Sequence, residues 1–133
     1  MAAIWERSIT ITQNADAPFS WGYSSFTKTV PPSAITASVP YSFGGTTVKF
    51  SINETNSPSS PQLLQLTSTS GAITFSTATV NGISVATVNW NIPNATTENL
   101  PVGTWWFDLL WINGSKNIYL AEGDCVIQGT AGR

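Results

Sequence analysis

The stretch that decides the fold is Trp105-Trp106-Phe107-Asp108-Leu109-Leu110-Trp111-Ile112, the most apolar strand-like segment of the chain. In a β-strand, successive side chains point to opposite faces of the sheet. One face then receives four apolar side chains, those of Trp105, Phe107, Leu109 and Trp111. The other face receives three apolar side chains and one carboxylate, those of Trp106, Asp108, Leu110 and Ile112. A sandwich strand normally has one face in the core and one in water, so the second set predicts an additional contact.

The same period of two recurs along the chain, and no long segment has the 3.6-residue period of an amphipathic helix. Shorter alternating runs include Ile9 and Ile11, Phe19 to Tyr23, Val48 to Ile52, Leu64 and Leu66, Ile73 and Phe75, and residues 118–127. Short strands joined by Gly, Asn and Pro turns predict an all-β sandwich or barrel. With 133 residues, we expect one domain, 1–133, in which residues 1–8 either form an N-terminal arm or stay with the sandwich.

Several connections are also predicted. Asn81-Gly82 and Asn113-Gly114 each favour a tight hairpin turn. Between Ile83 and Val88 the alternation changes phase, which predicts a β-bulge. The proline-containing segment 30–40 is expected to lack regular strand pairing, and residues 92–101 have room for one helical turn.

The composition excludes several classes of function. Only 9% of the residues are charged, the formal net charge is −2 and the five basic residues are scattered, so we expect no nucleic-acid partner. Histidine is absent and Cys125 is the only cysteine, which excludes Cys/His zinc sites, Ser–His–Asp catalysis and an internal disulfide. Cys125 is expected to be a small core residue. We expect no cofactor and no metal.

Targeting signals are not visible in the sequence. The chain shows neither a basic, apolar secretory signal nor the roughly 18 apolar residues of a membrane span. We therefore expect synthesis in a cytoplasm and no membrane partner.

The outward residues Trp106, Leu110 and Ile112 have two interpretations. Either segment 30–40 of the same chain covers them, or another protein subunit does, and we favour the subunit because large apolar patches are seldom left wet. Trp5, beside Ile4, is a further candidate interface residue as part of an arm, and a plug at the end of the sandwich is an equal alternative.

Two other classes of function have candidate residues in the sequence. Glu122 and Asp124 share a strand face and Asp108 lies opposite them if the hairpin forms, but we expect no catalytic role for these carboxylates. Six Trp residues on a β-sandwich are also typical of carbohydrate-binding modules. Four of them fall on core positions, which leaves Trp5, Tyr23, Trp106 and Tyr119 as platform candidates.

The segment Leu100-Pro101-Val102-Gly103-Thr104-Trp105-Trp106-Phe107-Asp108-Leu109 resembles a pattern of tailed-bacteriophage structural modules. That pattern reads Leu-Pro-x-Gly, Ser/Thr, an aromatic pair with one residue between, and Asp-Leu. The resemblance spans most of residues 46–133, with Cys125 in place of the usual aromatic residue or valine. Its continuation is carried here by Asn113-Gly114, Leu120, Gly123, Cys125 and Ile127.

The resemblance implies an immunoglobulin-like antiparallel β-sandwich of about 7–9 short strands in a virion protein. Because the module fills the chain, we expect a capsid-decorating protein docked on the major capsid protein, with a tail, neck or baseplate component as the alternative. We further expect a homo-oligomer, preferably a trimer on a local three-fold axis, with Trp106, Leu110 and Ile112 at the contact. A carbohydrate-binding module is the alternative of another class.

Overall fold

A computed structural model of the chain describes residues 5–24, 26–30, 35–39, 43–55, 60–80 and 83–129. In these ranges the chain forms eleven strands and one short helix. The elements in chain order are β1 (Trp5–Glu6), β2 (Ile9–Thr12), β3 (Ala17–Ser24), β4 (Phe26–Val30), β5 (Ile35–Val39), β6 (Thr47–Asn53), β7 (Gln62–Thr67), β8 (Ile73–Val80), β9 (Ile83–Ile92), α1 (Asn94–Thr97), β10 (Gly103–Asn113) and β11 (Lys116–Gln128).

The strands form two main sheets. The front sheet has the order β1-β11-β10-β6-β7, with β2 also paired to β11, and the back sheet has the order β3-β9-β8. β4 and β5 pair with each other in a separate two-stranded sheet. The predicted all-β sandwich is therefore confirmed. In the front sheet, β10 lies at the centre.

Aromatic side chains from both sheets meet in the core. Phe50 and Phe107 of the front sheet are fully buried. The ring centroid of Trp90 in the back sheet lies 5.0 Å from that of Phe50, and the centroid of Trp21 lies 5.9 Å from that of Phe107. Such ring pairs contribute about 0.5–1.5 kcal/mol each beyond their buried area. Cys125 is buried in the same core, as predicted, and desolvation raises the pKa of its thiol to about 12.

Two of the predicted irregularities are wrong. Segment 30–40 contains the regular strand β5, which lies between Pro32 and Pro40 in the sequence and pairs antiparallel with β4. The predicted bulge in β9 is absent, since β8 and β9 keep one register from Val80↔Ile83 to Ile73↔Trp90. Ala86 is buried and occupies the core position two residues before Val88. The core phase of β9 is therefore continuous.

The hairpins and the helical turn occur where the sequence predicts them. β8 and β9 are joined by the two residues Asn81-Gly82, whose turn conformation lies outside the described residues. In the β10–β11 hairpin Asn113 pairs with Lys116, so the central turn residues are Gly114 and Ser115 instead of Asn113 and Gly114. Gly114 has a φ of 63°, a conformation that glycine adopts without a steric penalty. The predicted helical turn is α1.

The β10–β11 pairing itself contains a bulge. Leu109 pairs with Ala121 and Leu110 pairs with Tyr119, so Leu120 is the extra residue. Leu120 is fully buried, and its carbonyl oxygen accepts a buried hydrogen bond from the Tyr23 hydroxyl at 3.1 Å. The back sheet thus satisfies a carbonyl beside the bulge in the front sheet.

The N-terminal strand segments lie beside β11 at one edge of the front sheet. β1 and β2 both run parallel to β11 in the same register, and the Arg7 amide between them donates to the Glu122 carbonyl oxygen at 3.0 Å. The Arg7 backbone lies so close to Gly123 that a Cβ atom there would coincide with the Arg7 carbonyl oxygen. Position 123 therefore requires glycine, because there is no room for a Cβ atom beside the Arg7 backbone.

The first prediction concerns this close approach. Gly123→Ala should lower the free energy of unfolding by about 2–3 kcal/mol, since the added methyl group must displace backbone. Chemical denaturation followed by tryptophan fluorescence measures the change. Gly44→Ala is the matched control, because a Cβ atom at Gly44 meets nothing within 4 Å. Equal stability of the two variants would contradict the close packing of Arg7 on Gly123.

Candidate functional site

The outer face of β10 carries the residues that the sequence predicts there. Trp106, Leu110 and Ile112, here called the ridge, are all partly buried, as is Asp108. None of the three ridge side chains belongs to the core cluster or to the apolar side chains packed against it. The opposite face of β10 supplies that core through Phe107, Leu109 and Trp111, with Trp105 packed against it. The predicted division of this strand into two apolar faces is confirmed.

The ridge is bordered on both sides by mostly polar residues. Residues that pair directly across two neighbouring strands have their side chains on the same face of the sheet, about 5 Å apart. From Trp106 to Ile112, the paired residues of β6 and β11 are Asn53 and Asp124, Ser51 and Glu122, Lys49 and Tyr119, and Thr47 and Asn117. The ridge is therefore an apolar line whose paired neighbours on the same face are mostly polar.

The outer face of the back sheet provides a comparison within the same molecule. There, the Ser20 hydroxyl donates to Asn89 Oδ1 at 2.7 Å, and Asn89 Nδ2 donates to the Ser76 hydroxyl at 3.3 Å. This polar row crosses all three strands of the sheet and is exposed. It is the arrangement expected of a sandwich face in water. The ridge is thus a particular feature of the front sheet.

One carboxylate lies within the ridge. Asp108 is positioned between Trp106 and Leu110, and its Oδ2 accepts a hydrogen bond from Asn53 Nδ2 at 3.2 Å. Burial raises the pKa of Asp108 from 3.8 to about 6; the Asn53 hydrogen bond lowers it, and the charge of Glu122 across the strand pair raises it. The predicted proximity of Asp108 to Glu122 and Asp124 is confirmed by the register of β10 and β11.

A groove of about 350 Å³ opens beside Trp106 at the β11 edge of the ridge. Its lining comes from Trp106 on β10, from Glu122, Gly123 and Asp124 on β11, and from Glu6 and Arg7 of the N-terminal segment, with Ser8. Glu6 pairs directly with Glu122, which places both side chains on the outer face. Sequence reasoning did not find Glu6 or this groove, because both depend on parallel pairing between residues more than 100 positions apart. Gly123 was the sequence signal of this pairing, because the Arg7 backbone lies too close to position 123 for a residue with a Cβ atom.

The other candidates have different outcomes. Tyr23 is wrong as a surface platform, since it is only 2% exposed and its hydroxyl is bonded to Leu120. Its place in the alternation of Phe19 and Trp21 explains this burial. Tyr119 is partly buried beside Leu110 on the outer face. The backbone of Trp5 pairs with Ala121, but its side chain and residues 1–4 lie outside the described part of the chain.

Coverage of the ridge by segment 30–40 also stays a prediction. Residues 31–34 and 40 lie outside the described ranges, as do the side chains of β4 and β5. The backbone of the two strands forms a separate two-stranded sheet.

The described ranges contain neither a candidate metal cluster nor a helix that could span a membrane. Within them, no three His, Cys, Asp or Glu residues are grouped so that they could bind a metal ion. No described helix has the length and apolarity needed to span a membrane.

Comparison with known proteins adds no assignment: no protein-family model matches the chain, and no curated protein is significantly similar to it. The functional argument therefore depends on the residues of the outer face.

The second prediction concerns Asp108. The pKa of Asp108 is higher in the folded state, so ionisation of its carboxyl disfavours folding. The stability that the protonated carboxyl contributes is present below about pH 4 and is lost as the pH rises to about 6. Asp108→Asn should therefore gain stability relative to the wild type over this range and keep the gain above pH 6. After allowance for solvent screening of a partly exposed carboxyl, the gain is on the order of 1 kcal/mol.

Urea unfolding at several pH values between 4 and 7.5 measures this difference. Glu98→Gln removes an exposed carboxylate beside α1 and should keep the wild-type profile. An Asp108→Asn profile parallel to that of the wild type would show that the carboxyl is not desolvated in the folded protein.

Proposed function

We propose that this protein is a non-catalytic structural component of a tailed-phage virion. It docks on another virion protein through the outer face of the front sheet, and the major capsid protein is the favoured partner. The observation that carries the proposal is the ridge of Trp106, Leu110 and Ile112, which lies along the central strand outside the core.

Docking through the ridge gains a moderate amount of free energy. Full burial of one large apolar side chain contributes about 1.5–3 kcal/mol. Because the ridge is already partly buried, a partner gains less, roughly 1 kcal/mol for each ridge residue. A central line of apolar groups with a polar border is also the usual composition of a protein–protein interface. The free energy of the ridge side chains is therefore lower in a docked interface than in contact with water.

Support for a virion partner comes from the resemblance of residues 100–109 to phage structural modules. In the fold this segment leads into and forms the first half of β10, so the residues that carry the resemblance include Trp106 and Asp108 of the outer face. Low charge, abundant Ser and Thr and a lone buried cysteine suit a building block made in the host cytoplasm.

The partner on the particle has two candidate sources. A capsid-decorating protein would dock on the head, preferably as a trimer in which one patch contacts a different patch on the neighbouring copy. A tail, neck or baseplate component would use the same face on a tail protein. Since both are docking proteins, the site of binding on the virion distinguishes them.

The third prediction tests the ridge directly. Trp106→Ser combined with Ile112→Ser should reduce binding to purified virion heads by about tenfold or more, since two central apolar contacts are lost. Co-sedimentation with heads and, separately, with tails measures the binding. Val102→Ser is the matched control, because Val102 is a 60% exposed apolar residue that lies before β10 and outside the ridge.

The outcomes separate the candidate functions. Head binding that survives in the folded double variant contradicts docking through the ridge, and binding to tails alone favours the tail component. If the double variant unfolds, Leu110→Thr provides a milder change, since it removes apolar surface but introduces a β-branched residue that is favoured in strands. If the protein binds neither structure and an oligosaccharide alters its tryptophan fluorescence, it is a carbohydrate-binding module instead.

A further inference from the structure

The outer face of the front sheet contains most of the acidic groups of the chain. Four of the seven carboxylates, those of Glu6, Asp108, Glu122 and Asp124, occupy paired or alternate positions on β1, β10 and β11. The basic residue paired on this face is Lys49, whereas the guanidinium of Arg7 lies over Trp21 of the back sheet. Four negative groups and one positive group give this face a formal charge of −3, against −2 for the whole chain. The other three acidic and four basic residues sum to +1.

The charges are not evenly spread along the ridge. Asp124 pairs with Trp106 and Glu122 pairs with Asp108, whereas Lys49 pairs with Leu110 at the other half of β10. The guanidinium of Arg7 lies over the ring of Trp21, 5.6 Å from its centroid, and Trp21 belongs to the back sheet. The Trp106 end of the face is therefore acidic and has the groove, and the Leu110 and Ile112 end is apolar.

We propose that the partner presents to this face an extended cationic segment, with a lysine or arginine side chain in the groove beside Trp106. Apolar side chains of the same segment lie on Leu110 and Ile112. This inference rests on the proposed function, since it names the chemistry of the surface that docks there.

The groove has the groups that such a side chain needs. An ammonium or guanidinium group is attracted to the face of a tryptophan ring within about 6 Å. Carboxylates around it provide charge-assisted hydrogen bonds, and Glu6, Glu122 and Asp124 line the same groove as Trp106. The volume of about 350 Å³ accommodates one long side chain together with water. Both the charge and the shape of this end thus fit a basic residue.

A second copy of the chain is a poorer complement. Face-to-face pairing of the acidic Trp106 ends of two copies would bring like charges together, which opposes association. The rest of a copy has a formal charge of only +1, from four basic and three acidic residues. A different protein with a basic segment is therefore the occupant that the charge distribution favours.

The fourth prediction uses a defined peptide as the probe. The peptide acetyl-Ser-Lys-Ser-Thr-Ser-Leu-Ser-amide places lysine and leucine four positions apart, which is the spacing of Trp106 and Leu110 along β10. Titration into the ¹⁵N-labelled protein, followed by NMR, should shift the Trp106 indole signal and the amide signals of Glu122 and Asp124. A peptide with glutamate in place of lysine should leave these signals unchanged.

Matched variants test the role of the charges. Glu122→Gln combined with Asp124→Asn should weaken the peptide about five- to tenfold, since each exposed ion pair contributes up to about fivefold. Glu54→Gln combined with Glu98→Gln changes the net charge equally at exposed positions outside the face, and should leave peptide affinity unchanged. Equal weakening by both pairs would mean that only the net charge matters, which overturns the proposal.

The remaining outcomes also decide the proposal. If the lysine peptide shifts no signal at millimolar concentration while wild-type protein still binds heads through the ridge, the docking face stands and the cationic segment is wrong. If the Glu122 and Asp124 variant changes the molecular mass of the purified protein in solution, the occupant is a second copy. If neutral oligosaccharides shift the Trp106 indole signal and the peptide does not, the groove binds sugar.

Discussion

The structure depends on how β10 is anchored from one side. Phe107, Leu109 and Trp111 are buried between the two sheets, and Trp105 packs against the same core. Because strand side chains alternate strictly, this inner row also fixes which residues face outward. A shift of β10 by one residue would place Asp108 in the aromatic core, where a charged carboxylate is strongly disfavoured. The core therefore determines which residues of β10 face outward, although the ridge residues are not part of it.

The bulge at Leu120 shapes the other half of the docking face. Beyond it, Glu122 and Asp124 point outward on β11, and strict alternation would also turn Leu120 outward. The extra residue reverses the phase, so Leu120 is buried, Ile118 packs against the core and Tyr119 joins the outer face. A single unpaired residue thus keeps two aliphatic side chains in the core and also keeps the two carboxylates beside the ridge.

Much of this was accessible from the sequence, and the exceptions have physical causes. The two faces of β10 follow from local alternation, so Trp106, Leu110 and Ile112 were found directly. The phase change between Leu120 and Ala121 is also visible in the sequence and marks the real bulge. The bulge predicted in β9 was wrong because Ala86 is small and apolar, which hides its core position among larger neighbours. Glu6 was missed because its partner Glu122 is distant in sequence, and Gly123 was the indirect signal of that pairing.

The carboxylates and the ridge have complementary effects on a docking protein. An unbroken row of Trp, Leu and Ile on an exposed face favours nonspecific association, because apolar contact has no directional requirement. Asp108 within the ridge and Glu122 and Asp124 beside it make such contact costly unless the other surface provides positive charge or hydrogen-bond donors. The raised pKa of Asp108 reflects the same desolvation at the centre of the face. Apolar area then supplies affinity, and the acidic groups decide which surface can bind.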